Sequence, residues 1–151
     1  IIRGVSSATL PGRFEQTEGA VKIIADVAHN VDAVNKLAET LESTATQGKT
    51  VAVFGLMRRK DLSGVISAIA PRIDSWKLPI YESQELYSVN EIEETLKKQD
   101  VKSTQIEFCH SLPEVLEKLG NELQKGDRIV IFGSFHLVAD YHACVKRSVI
   151  V

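Results

Sequence analysis

The chain has little that would staple, metallate or anchor it. Its 151 residues include 2 cysteines. Cys109 and Cys144 lie far apart and outside any CxxC or zinc spacing, so they read as reduced core thiols, not as a disulfide or metal framework. The 4 histidines, at positions 29, 110, 136 and 142, form no HExxH pair and have no cysteine partners for zinc. No apolar run approaches the roughly 20 residues of a membrane helix. Arg3 and Gly4 interrupt the opening stretch, so no signal peptide is expected. The GxxxxGK[ST] phosphate loop is missing, which excludes that route to a triphosphate, and no GxGxxG follows the first strand-like run, which disfavours a dinucleotide fold. The formal net charge of -2 provides no general surface for nucleic acid or anionic membrane. Ile1 stands where an initiating methionine would, and a fragment of a longer cytoplasmic protein is expected.

What is present is an ordinary soluble composition, 44% hydrophobic and 25% charged, long enough for one domain with a proper core. Pro11-Gly12 closes a lead-in, Arg13 to Gln16 suits a short edge strand, and Val21 to Ala28 is the first buried strand. Apolar residues then recur at Val34, Leu37, Ala38 and Leu41, the helical period, with Asn30 as N-cap and Asp32 in the first turn. Thr50 to Phe54 is a second buried strand. Leu62, Val65, Ile66, Ile69 and Ile73 form the next helical stripe, which Pro71 should end early. Trp76 to Tyr81 reads as a strand with Pro79 at an end or edge. Val89, Ile92 and Leu96 give a short amphipathic helix, and Thr104 to Cys109 alternates as a strand. The stripe Leu112, Val115, Leu116, Leu119 and Leu123 follows a capping box of Ser111 and Glu114. Arg128 to Phe132 is the last strand, and a helix through Leu137, Tyr141 and Val145 closes the chain.

Strands alternating with helices, and continuous apolar runs such as Ile129 to Phe132, predict an α/β domain. Its expected form is a doubly wound, mostly parallel sheet of about five or six strands. Parallel strands end on one edge, so three loops converge there: Asp26 to Asn30, Gly55 to Asp61 and Gly133 to His136. They hold an acid, several cations, small residues and two helix N-termini, which suits an anionic ligand such as a phosphate or an amino-acid carboxylate. Plainer roles stand beside this one. Asp26 suits a ligand or merely helix amides, and Asn30 reads mainly as a cap. Arg58 and Arg59 read as a solvated loop, and His110 and His142 as surface or packing residues. Gly133 suits a positive φ or close strand–helix packing.

Four ordered blocks carry a family resemblance: Leu10-Pro11-Gly12-Arg13-Phe14-Glu15, Asp26-Val27-Ala28-His29-Asn30, Lys60-Asp61, and Phe132-Gly133-Ser134-Phe135-His136. With them the chain resembles the C-terminal domain of bacterial folylpolyglutamate synthase, whose bifunctional form is also a dihydrofolate synthase, and more broadly that of the Mur ligases. Arg59 departs from the pattern, since the family often has an acid there. The resemblance implies a Rossmann-like C-terminal domain of a two-domain enzyme whose N-terminal ATPase domain supplies the phosphate loop and the Mg2+ ligands. ATP would convert a folate or dihydropteroate carboxylate to an acyl phosphate, which the amine of L-glutamate attacks. By the same resemblance Arg13 and Asp26 contact ATP, while His29, Lys60 and Ser134 face the glutamate and His29 orients its amine. Such a fragment would be inactive alone. A Mur-type ligase acting on cell-wall precursors and a stand-alone flavodoxin-like binding module are the alternatives.

Overall fold

The computed structural model describes residues 15–17 (backbone only), 21–44 and 46–146. Six strands form one sheet, β1 (Glu15–Thr17), β2 (Lys22–Asp26), β3 (Thr50–Phe54), β4 (Ser75–Pro79), β5 (Ile106–Cys109) and β6 (Arg128–Phe132). Their spatial order is β1-β2-β6-β3-β4-β5. β1 is an antiparallel edge on β2, and every other pairing is parallel. The helices are α1 (Val31–Ser43), α2 (Leu62–Ile69), α3 (Val89–Lys98), α4 (Leu112–Glu122) and α5 (Phe135–Lys146).

Period-two alternation within fully apolar strands sends neighbouring residues to opposite cores. Val130 and Phe132 of β6 join Ile24, Ala52 and Phe54 beneath α1, α2 and α3. Ile129 and Ile131 join Ile23, Ala25, Val51 and Val53 beneath α4 and α5. Phe54, Phe132 and Trp76 pack together, with the Phe54 and Trp76 rings edge-on at 5.7 Å. The doubly wound sheet expected from the sequence is therefore observed, with three helices on one face and two on the other.

Several boundaries differ from the sequence reading, each for a local reason. The first buried strand stops at Asp26, not Ala28, because the Asp26 carboxylate accepts from the Ala28 N–H at 2.8 Å and turns the chain out of the ladder. α2 ends at Ile69, and Pro71 sits in the 3-10 turn Ala70–Arg72, so Ile73 is buried from outside the helix. β4 runs from Ser75 to Pro79, not Trp76 to Tyr81, and its pairing with β3 stops at Lys77. The N–H that Pro79 lacks is therefore not needed by the ladder, and Ile80 donates to Cys109 O at 2.8 Å instead. Ser103–Gln105 is a 3-10 turn, so β5 starts at Ile106, not Thr104. The edge strand is described over Glu15–Thr17 and so runs one residue past the expected Gln16, while the expected start at Arg13 lies outside the described residues. At α4, Ser111 caps Glu114 N at 3.3 Å, but the Glu114 carboxylate accepts from His110 N, one residue earlier than a capping box requires.

Two buried cations went unread in the sequence. Arg128, 5% exposed, donates to Leu41 O at 2.9 Å, Thr44 O at 2.7 Å and Thr50 Oγ1 at 2.9 Å, and so satisfies the orphan carbonyls at the end of α1. Lys77 on β4 pairs with Glu107, its register partner on β5, and with Glu122 at 3.3 Å. Glu107 also takes Lys118 at 2.7 Å.

Candidate functional site

In-register pairing aligns the last residues of three adjacent strands, Asp26 of β2 with Phe132 of β6, and Phe132 with Phe54 of β3. The three converging loops therefore leave one short stretch of one edge. β6 fills the gap between β2 and β3, and α1 and α5 depart from neighbouring strands to opposite faces. That is the topological switch point where open α/β sheets bind ligands.

The first loop is held by its own side chains. Beyond the Asp26 turn, His29 Nδ1 lies 2.7 Å from Val27 O. A carbonyl has no proton to give, so Nδ1–H is the donor, and in the neutral ring Nε2 is left as an acceptor. Asn30 accepts from Ala33 N at 2.9 Å and is the N-cap the sequence suggested. Asp26 and His29 are half-buried and line a cavity of about 560 Å³, which continues along α1 past Lys36 and Thr40.

His29 leads directly to the third loop. Its ring lies 6.0 Å from that of Phe135, the first residue of α5, which is 65% exposed. Ser134 is 2% exposed, and its Oγ accepts from Leu137 N at 3.1 Å, capping α5. An oxygen that accepts still has its own hydrogen to donate. Gly133 has φ +115°, and a Cβ on Gly55 would stand 3.9 Å from Ser134 Oγ. The bare Gly55 thus packs directly beside the buried hydroxyl.

Gly55 opens the second loop, which carries Lys60. Lys60 N bonds to Met57 O at 3.0 Å, and Asp61 caps α2 by accepting from Gly64 N at 3.0 Å. Lys60 is half-buried, and its ammonium makes no ion pair among the described residues. Arg59 is exposed. Arg58 is exposed, as the sequence suggested, but it is also paired, its Nη1 donating to both Glu91 carboxylate oxygens at 2.8 and 2.9 Å. The partners were missed because Tyr87 lies just before α3 and Glu91 in its first turn, distant in sequence from Arg58 with no local pattern to link them.

The structure thus links Asp26, His29, Ser134 and the loop of Lys60 through consecutive contacts. Arg13 lies outside the described residues. Cys109 and Cys144 are buried and form no disulfide among the described residues, and burial pushes the Cys109 thiol up, away from nucleophilic use. Tyr81 is held in its neutral form, first by burial and then by its 2.7 Å hydrogen bond to Asp140. Among the described residues no three His, Cys, Asp or Glu side chains gather to hold a metal ion. No helix is long and apolar enough to cross a membrane among the described residues.

Comparison with known proteins bears on the family and the fold. The family described as Mur ligase, glutamate ligase domain, matches residues 12–135. The dihydrofolate synthase/folylpolyglutamate synthase of Buchnera aphidicola subsp. Schizaphis graminum is 30% identical over 143 residues, covering 95% of this chain and 33% of the relative. The enzyme of the same name from Escherichia coli K12 is 28% identical over 136 residues, covering 90% and 31%. This chain spans about a third of the length of these relatives. Among solved structures, a bifunctional folylpolyglutamate synthase/dihydrofolate synthase with Mn, AMPPNP and L-glutamate bound superposes with a TM-score of 0.81 at 28% identity, over 93% of this chain and 32% of that one. E. coli FolC in complex with DHPP and ADP gives 0.83 at 25% identity, over 94% and 33%.

Proposed function

The chain belongs to the glutamate-ligase domain family of the Mur ligases, and we propose that it is the C-terminal domain of a cytoplasmic, ATP-dependent dihydrofolate synthase/folylpolyglutamate synthase. The observation that carries this reading is the alignment of Asp26, Phe132 and Phe54 at one sheet edge, which brings the three ligand-bearing loops together. The folate enzymes named among the relatives favour a folate or dihydropteroate acceptor over a cell-wall precursor.

In this reading the acceptor carboxylate takes the γ-phosphoryl of ATP, and the amine of L-glutamate attacks the acyl phosphate, expelling phosphate. Asp26, lining the cavity beside α1, takes the nucleotide side, where a carboxylate accepts from ribose hydroxyls; Arg13 forks onto phosphate oxygens. Lys60 and Ser134 hold a glutamate carboxylate, through an ammonium and an O–H that the helix cap leaves free. His29, whose Nδ1–H is fixed by Val27 O, turns Nε2 toward the attacking amine as an acceptor. The phosphate loop and the ligands for Mg2+ belong to the N-terminal ATPase domain of the same enzyme, and this domain alone is inactive.

The test is glutamate incorporation. The two-domain enzyme should transfer labelled glutamate to dihydropteroate or folate with matching ATP consumption, and His29→Ala should depress kcat. The isolated domain should show no magnesium-dependent ATPase. ATP turnover by the isolated domain would overturn its role as a half-site.

A further inference from the structure

The turn that carries Lys60 is fastened to the connection between β4 and α3 far more firmly than an exposed loop requires. Met57 and Leu86 form an antiparallel bridge. Arg58 N donates to Glu85 O at 2.7 Å and Tyr87 N to Leu56 O at 3.0 Å on either side of it. The side chains repeat the link. Arg58 Nε donates to Gln84 O at 3.2 Å, and its guanidinium both forks onto Glu91 and stands 5.6 Å from the centre of the Tyr87 ring. Tyr87 in turn donates its phenolic hydrogen to the Lys60 carbonyl at 2.6 Å.

Lys60 is therefore held from three directions. Behind it is the Met57 carbonyl, ahead is the Asp61 cap of α2, and beside it is the Tyr87 hydroxyl. Exposed ion pairs and cation–π contacts contribute little to stability on their own. Their convergence on one backbone carbonyl instead restricts where the Lys60 side chain begins. Pre-setting a flexible lysine reduces the ordering cost that binding must otherwise meet.

We propose that Tyr87, braced by the Arg58–Glu91 pair, is a positioning residue for Lys60 and so sets affinity for the glutamate carboxylate; this rests on the carboxylate-binding reading of Lys60 given above. Tyr87→Phe removes only the hydroxyl and keeps the ring under Arg58. Arg58→Lys keeps the charge and loses the planar fork.

In the two-domain enzyme both variants should raise KM for glutamate by about five- to ten-fold, the size expected for one lost hydrogen bond, with kcat and KM for ATP nearly unchanged. Lys60→Ala should raise it further, and adding Tyr87→Phe to Lys60→Ala should have no additional effect, because Tyr87 acts through Lys60. Unchanged glutamate KM in Tyr87→Phe and Arg58→Lys, with a raised value in Lys60→Ala, would remove the clamp and keep the carboxylate site. Unchanged glutamate KM in Lys60→Ala would remove both. A fall in melting temperature with KM for ATP and glutamate rising together would assign Tyr87 a general structural role and overturn the proposal.

Discussion

Gly133 stands so close to Gly55 that a Cβ built on it would lie 1.9 Å from the Gly55 carbonyl oxygen. The contact joins the third loop to the second, next to buried Ser134. Of the two roles the sequence left open for Gly133, the structure requires both, a φ of +115° and close packing. Gly133→Ala should therefore destabilise the purified chain by about 2 kcal/mol or more, from backbone strain and displaced neighbours together. Chemical denaturation measures it, and a variant as stable as the parent would contradict this account.

Arg128→Met should be costly although Met fits an apolar interior. It strips a buried donor from the carbonyls of Leu41 and Thr44, and the expected loss is on the order of 3 kcal/mol. The last turn of α1 should fray first, which amide hydrogen exchange of that turn would detect. Protection lost elsewhere but kept there would show that the guanidinium does not act as a cap.

Stability should fall in acid partly through one carboxylate. Hydrogen bonds from Lys118 first, and from Lys77, hold Glu107 below the usual carboxylate range. A lowered folded-state pKa gives stability that is present above the unfolded value, about pH 4.3, and lost as pH drops through the folded one. Asp127 acts in the same sense, because the Gln124 and Lys49 amides bond its carboxylate. Burial pulls the Lys77 ammonium down most, but Glu107 and Glu122 together outweigh it and leave it raised. Its contribution is therefore complete at neutral pH and lost only in strong alkali. Urea midpoints followed from about pH 6 to 3 should fall less steeply in Glu107→Gln. Equal slopes would mean that other carboxylates dominate the acid limb.

Ser134→Asp separates a cap from a ligand contact. Aspartate keeps an acceptor for Leu137 N, but at a 2% exposed position its charge is desolvated and melting should fall. Beside a bound glutamate carboxylate the new charge repels, and KM for glutamate in the two-domain enzyme should rise sharply while ATP affinity holds. Wild-type glutamate kinetics would leave Ser134 as the cap of α5 alone.

What local chemistry controls was legible in the sequence. Asn30 and Ser111 are caps because an oxygen beside free helix amides needs no distant partner. The apolar stripes fixed α1, α2, α4 and the two faces of the central strands, and the three site loops could be grouped because parallel strands end together. Ile73, Tyr81 and Thr104 were misassigned where a proline, or a side chain bonded to nearby backbone, outweighed periodicity.

The sequence by itself therefore determined the class of fold and the sheet edge at which the three loops meet, since both follow from short-range period and strand direction. Only the tertiary structure decided which strands are neighbours, that β6 inserts between β2 and β3 and brings Ser134 against Gly55. Only it showed that Arg58 braces Tyr87, that Arg128 closes α1, and that Lys77 meets Glu107. Each of these joins residues distant along the chain, and such partners are set by sheet order and register, which no local pattern encodes.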